Sequence, residues 1–590
     1  MEPCEDTPLL GFAPMSTGTG SVEIEGPKPL ELEHPVDVGS VPSGNGRRTG
    51  LFTVAQWLLI TAVVLVGLIL RAWFLYHRAT TSDEAIVGIM GQQILHGHNS
   101  VFYWGQYYGG VEQYLIALRY AIFGFSSWAL PLIEVLLAMG TGVLTWRIAH
   151  RMLSDPFLAA LTGAAAWAVP EFAMNTLAGF RGVTTCCGLA LILISLRIID
   201  RQYRAFEFAV LGFVAGVGFW SSPEIAYYVA PPVILLAWAF WADRRDGKAS
   251  EWIRHLVMGT LAAVVGALPW LWSNVRSHFA SLSSSTYQVP PGSPHFLGRL
   301  KIFFHYSVGL LLNVRQVGTG FWLFPRPISI ALELILLAVI GVSLVLCLAG
   351  GVRSLSIGVG LVAFPLILAF SPGSWYWKDG RFVTFVVPYF MLVIAVGGSE
   401  AARRIRQHAV KKQLYLSQRG LTRMIVGTTL SVLVALTAVN FAKFQIPNQS
   451  VLAGWGNPNQ PTLNVLPKLE AAGVSDGFAD YWVAYRLDFL SGGKLHLTVV
   501  GTDPDRWSSL NQQVVKSKSP AWIFVTPDAV SYGQFGGTVE IEGPAGQTEA
   551  VFIADLKRDH IGYRVVTTGL INAVIPDQKF LPQRIGARPA

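Results

Sequence analysis

The sequence predicts an α-helical, polytopic membrane protein with a small C-terminal α/β domain outside the membrane. Three observations predict this. Of 590 residues, 52% are hydrophobic and 14% charged, with a mean hydropathy of +0.45, far from the balance of a soluble protein. Apolar stretches of about 18 residues or more recur through the first three quarters, the length that crosses a bilayer as a helix. From about Pro447 the pattern changes to mixed apolar and polar residues.

The net charge of +8 does not point to nucleic acid. The basic residues stand in short clusters between apolar runs, as topology signals do. Of four cysteines, Cys4, Cys186, Cys187 and Cys347, none lies in the C-terminal region, so no disulfide framework supports it.

Three segments follow. Residues 1–50 are rich in Pro, Gly, Ser, Thr and Glu and read as a disordered cytoplasmic tail. Residues 51–446 form the transmembrane module, and residues 447–590 the α/β domain. Arg47 and Arg48 place the N-terminus in the cytoplasm, ahead of a first span near Phe52–Phe74 that is too late and too long for a cleaved signal peptide.

Ten further spans are expected near Ala129–Ile148, Phe157–Leu177, Val183–Ile199, Phe206–Trp220, Ile225–Trp241, Leu256–Trp272, Ile328–Leu348, Ile357–Phe370, Phe382–Val396 and Met424–Asn440. Inner segments then carry about twice the Lys and Arg of the outer loops, which agrees with the path. About eleven spans leave the C-terminal domain extracytoplasmic. There TLNVLPKLEAAG reads as a helix closed by Gly473, GFADYW as a strand, WVAYRLDFLSGG as a helix, and KLHLTVV and AWIFV as strands.

The first outer loop, Thr81 to Leu118, is polar, aromatic and glycine-rich, and lipid would not accept it as a span. Its GIMGQQILHG and GVEQYLIALRYAIFG portions read as short amphipathic helices at the interface. Asp83, Glu84, Glu112, Glu224, Lys378, Asp379 and Arg381 all fall on the outer side, while span interiors are nearly free of ionisable groups, Glu134 and Glu333 being the main exceptions. Charge on one side suits a reaction at the membrane surface better than an ion pathway.

Asp83 reads in two ways. A carboxylate just past a span can act as general base on an acceptor hydroxyl. It can also cap the helix that starts at Glu84, and Glu84 can assist as a second acceptor or favour that helix start. Glu112, after Tyr107, Tyr108 and two glycines that permit close backbone approach, marks a sugar or metal site, or a surface carboxylate. His96 and His98 lack a second ligand pair at metal spacing. Lys378 and Arg381, among Trp375, Tyr376 and Trp377, offer cations for a phosphate leaving group or anchors in an aromatic belt.

An Asp-Glu pair after the first span, the GQYYGGVEQYLIA segment, GVGFWSSPEIAYYVAPP and DGRFVTFVVPYF occur here in that order. The combination resembles the GT-C type integral membrane glycosyltransferases, nearest the protein O-mannosyltransferase and aminoarabinose transferase family, over roughly Leu51 to Val396. One element departs: Gln113-Tyr114-Leu115 stands where the family has Lys-Pro-Pro.

The resemblance implies an inverting transferase that takes a sugar from a polyprenyl-phosphate donor in the cell membrane. Its acceptor would be a glycan, lipid or protein. Asp83, with Glu84, would form the acidic catalytic motif. Glu112 and Tyr108 would belong to the sugar site, Glu112 with a possible divalent cation, and Lys378, Arg381 and Arg315 would hold the lipid phosphate.

Two other classes compete. A transporter calls for ionisable groups in mid-span and repeat symmetry, and neither is evident. A non-catalytic scaffold presenting the C-terminal domain predicts that Asp83 and Arg381 can be replaced without chemical loss.

Overall fold

The computed structural model describes residues 53–77, 79–126, 130–169, 181–200, 205–283, 294–317, 319–371, 380–412, 417–449, 459–501, 505–527 and 543–581. The N-terminal tail, Lys378, Asp379 and the aromatic run before them lie outside these residues. The chain begins with α1 (Val54–His77), α2 (Ser82–Leu95), α3 (Glu112–Phe123), α4 (Leu132–Met152), α5 (Pro156–Ala168) and α6 (Arg181–Ile199). Then come α7 (Ala205–Ser221), α8 (Ala230–Arg245), α9 (Ala249–Gly266), α10 (Leu268–Arg276), α11 (Arg326–Leu348), α12 (Val352–Phe370), α13 (Val387–Lys411) and α14 (Thr428–Gln449).

Seven helical segments among the described residues are long and apolar enough to cross a membrane: α1, α4, α6, α11, α12, Thr384–Lys411 and Gln418–Phe444. The pair α9–α10, bent by 61° where Pro269 enters the second helix, makes an eighth if counted as one span. By length and hydropathy, seven or eight of the roughly eleven expected spans are met among the described residues. Three further expected spans are helical at α5, α7 and α8, over 13, 17 and 16 of the described residues. Between α7 and α8 the chain breaks at Ser222, which caps the short 3-10 turn Pro223–Tyr228.

Small residues let the bundle close. A Cβ on Gly212 of α7 would fall 1.8 Å from the Gly259 carbonyl of α9, and one on Gly216 would fall 2.1 Å from that of Ala263. Backbone meets backbone there, as in membrane helix pairs generally. Between α1 and α5 the joint is polar. Arg71, fully buried, stacks 3.6 Å from the centroid of the Trp167 ring and donates to the Gly67 and Trp167 carbonyls. It is a cation within a span that the sequence reading overlooked, balanced by carbonyl dipoles.

Beyond the bundle, β1 (Asp476–Phe478), β2 (His496–Thr498), β3 (Ala521–Val525), β4 (Tyr563–Thr567) and β5 (Ile571–Pro576) form one sheet in the order β2-β1-β3-β5-β4. The β1 pairings are parallel and the β5 pairings antiparallel. Helices α15 (Tyr481–Leu490) and α16 (Ser508–Lys516) cross between the parallel strands, and α17 (Glu549–Arg558) precedes β4. The strand expected over GFADYW stops at Phe478, because the Asp480 side chain accepts from the Trp482 N–H and starts α15 instead.

The pleat divides the strand residues between two cores. Trp522, Phe524 and Val574 pack with Leu510, Val514 and Phe552 of α16 and α17. Ala521, Ile523, Ala573 and Ile575 share a core with α15 and with Ala85 to Met90 of α2. So α2, read as an interfacial helix, is wedged against the C-terminal layer. A Cβ on its Gly88 would lie 2.4 Å from the Phe489 ring.

Candidate active site

The first turn of α2 sets the site. The Thr81 side chain accepts from the Glu84 N–H, and Glu84 Oε2 accepts from the Thr81 N–H at 2.8 Å and its hydroxyl at 3.2 Å. This reciprocal box satisfies the helix start without Asp83. The cap is therefore Thr81, and Glu84, 3% exposed, closes the box onto it.

Asp83 projects from that turn with a quarter of its side chain exposed. Its Oδ1 accepts from the Tyr481 hydroxyl at 2.5 Å, and its Oδ2 lies 3.7 Å from Arg381 Nη1. Tyr103 donates its hydroxyl to the Asp83 carbonyl at 3.4 Å. Four separate segments, 398 residues apart at the extremes, thus meet at one aspartate, two of them at its carboxylate.

Arg506 holds the tyrosines from behind. Its guanidinium lies 5.6 Å from the Tyr103 ring centroid and 5.7 Å from that of Tyr481, and donates to the Gly105 carbonyl at 3.3 Å. Its backbone N–H donates to the Tyr485 hydroxyl at 2.7 Å. Next to it Trp507 stacks on Trp104 of the first loop, with centroids 4.8 Å apart. Burial, then the Asp83 charge, push the Tyr481 hydroxyl well above its usual range against the opposing pull of Arg506, so it is a standing donor.

Around Arg381 the charges alternate. Arg181 and Arg381 both lie beside the Phe382 ring, 5.2 and 5.4 Å from its centroid. Glu224, in the turn between α7 and α8, stands in the field of both. Burial pushes its carboxyl up to about 7, opposed by Arg181, a Ser222 hydrogen bond and Arg381. The cap of that turn is Ser222, so Glu224 faces the cations. Glu112, 3% exposed at the start of α3, is within hydrogen-bond reach of Glu134, which also feels Arg181.

Arg315 stacks 3.6 Å from the Trp322 ring centroid, with Tyr306 on another side and Glu333 as its balancing charge. Tyr108 contributes its carbonyl to the Tyr103 N–H and closes the loop. His96 ends α2 at the surface. Among the described residues no three His, Cys, Asp or Glu side chains converge as a metal set. Arg181 supplies positive charge beside Glu134 and its neighbour Glu112.

Residues 111–272 match the family model described as dolichyl-phosphate-mannose-protein mannosyltransferase. In structure the chain is similar to ArnT from Cupriavidus metallidurans in the apo state, with a TM-score of 0.55 and 13% identity, over 88% of this chain and 98% of that one. The same protein bound to undecaprenyl phosphate gives a TM-score of 0.52 at 14% identity, over 89% and 98%. The chain therefore shares the fold of ArnT. No curated protein matches it in sequence.

The family-matched stretch holds Glu112, Glu134, Arg181 and Glu224. Asp83, Arg381, Tyr481 and Arg506 lie outside it and are joined to it by the fold. Sequence reading found Asp83 and Arg381 but missed Tyr481 and Arg506. One signal was available: Asp480 before YWVAYRLDFL is a helix cap, and moving the helix start to Tyr481 puts that tyrosine at its first position.

Proposed function

We propose that this protein moves a sugar from a polyprenyl-phosphate donor to an acceptor hydroxyl at the extracytoplasmic face of the cell membrane, with inversion. The observation that carries the reading is the apposition of Asp83 and Arg381, a carboxylate and a guanidinium 3.7 Å apart at the end of a helix bundle. It is supported by the GT-C fold and by the undecaprenyl phosphate bound to the similar ArnT.

In this mechanism the acceptor hydroxyl gives its proton to an Asp83 carboxylate oxygen. The acceptor oxygen forms a bond to the anomeric carbon from the face opposite the phosphate. The bond from that carbon to the phosphate oxygen breaks, and its electron pair leaves with the polyprenyl phosphate. Arg381 meets the charge that develops there, where a preorganised cation helps most. Arg181 and Glu224 hold the field around it, and the Glu112–Glu134 pair offers buried oxygens to sugar hydroxyls.

The test uses purified protein in lipid nanodiscs with a panel of radiolabelled polyprenyl-phosphate sugars and a membrane-extract acceptor. Wild type should transfer label and release lipid phosphate, and Asp83→Asn should lose about a thousandfold while folding normally. Equal transfer by both proteins would remove Asp83 as the base.

A further inference from the structure

The Tyr481 hydroxyl occupies one oxygen of Asp83, the residue assigned above to the acceptor's proton. That hydroxyl comes from α15, whose residues are otherwise packed into the core: nine of its ten side chains are buried, and Phe489 closes on α2 at Gly88. The helix is further tied to the first loop through Tyr485, Arg506 and the Trp104–Trp507 stack. A side chain so braced has one orientation, and it passes that orientation to its partner.

We propose that Tyr481 is a positioning residue for Asp83, supplied by the C-terminal layer. By holding Oδ1 it turns Oδ2 toward Arg381, so one defined oxygen faces the acceptor hydroxyl. The C-terminal layer is then part of the active site. It neither merely covers the bundle nor waits as a separate binding module. Arg506, between Tyr103 and Tyr481, sets the ring that sets the carboxylate. This assignment rests on the transferase reading for its catalytic meaning, but its geometry can be tested without any sugar donor.

The experiment is footprinting of the full chain in nanodiscs with a water-soluble carbodiimide and an amine, with Asp83 modification read by peptide mass spectrometry. Tyr481→Phe keeps the ring and removes the hydroxyl. It should raise Asp83 modification about tenfold, the size expected when a hydrogen bond to a charged group is lost, with the thermal midpoint nearly unchanged. Arg506→Gln should raise it by a smaller factor with Tyr481 intact.

Leu487→Ala loosens the same helix without touching the hydroxyl and should leave Asp83 modification at the wild-type level. Unchanged modification in Tyr481→Phe, or an equal rise in Leu487→Ala, would overturn the positioning role. With an identified donor, Tyr481→Phe should lower kcat about tenfold or more and leave the donor KM near wild type. A labelling rise together with no transfer from any donor would sink the transferase reading and leave the positioning contact standing.

Discussion

Two aspartates stand at helix starts in this bundle, and the chain uses them differently. Asp155 is the cap of α5. It accepts from the Phe157 N–H at 3.1 Å, from Arg423 at 2.7 and 3.3 Å, and from Arg419 at 3.4 Å. Both of its oxygens are committed to holding the chain together. Asp83 sits in the first turn of a helix whose cap is provided by Thr81 and Glu84, so its oxygens meet a single hydroxyl and a guanidinium at longer range. A carboxylate becomes available for chemistry where its neighbours have already satisfied the backbone.

The contrast is broken most sharply by removing the carboxylates. Asp83→Asn should lose about three orders of magnitude in transfer with little change in thermal midpoint. Arg381→Gln should lose about a hundredfold, chiefly in kcat, since its charge matters most as the phosphate departs. Asp155→Ala should do the reverse. Loss of a cap together with a half-buried ion pair should cost about 2 to 3 kcal/mol of stability, while transfer per folded molecule stays within a few-fold of wild type. If Asp155→Ala silenced transfer in a stable protein, the division between the two aspartates would fail.

Much of this contrast is invisible in the sequence. SDEA and SDPF read alike, each as an acidic helix start, because capping propensity is a property of a few neighbouring residues. What separates them is who else arrives. Arg423 reaches Asp155 across 268 residues, and Tyr481 reaches Asp83 across 398. Hydropathy located the long helices and the change near Pro447, since burial in lipid writes itself into composition over 20 residues.

The same averaging hid Arg71, a single charge in an apolar window. Asp83 and Arg381, which the fold brings together, stood out in the sequence because polar groups beside a span are rarely idle. Tyr481 was not, because one aromatic in YWVAYRLDFL resembles the others until the helix start is fixed at Asp480.

Acid sharpens the comparison from another side. Burial opposes the charge on Asp155, but the Arg423 hydrogen bonds and charge, the Phe157 N–H and Arg419 outweigh it and hold the carboxyl below its ordinary value. A carboxyl depressed in the folded state binds its proton more readily when unfolded. Its stabilising contribution is therefore present above the unfolded value, near 4, and is lost as pH falls through the lower folded value. Wild type should lose stability between about pH 5 and pH 3 more steeply than Asp155→Ala, read as thermal midpoint against pH. Parallel curves would mean that the ion pair contributes nothing.

The smallest effect tests why Asp83 is spare at all. In Thr81→Ala the Glu84 N–H loses its acceptor, and the Glu84 carboxylate loses the hydroxyl that donates to it. The expected cost is about 1 kcal/mol, a few degrees in thermal midpoint, with Thr81→Ser restoring it. Transfer should remain within a few-fold, because Tyr481 and Arg381 still hold the Asp83 carboxylate where it is. A different result would be informative: a midpoint that does not move, with transfer lost, means that Asp83 has swung inward to cap α2. One aspartate would then be shown to serve either purpose, and Thr81 would be the residue that decides which.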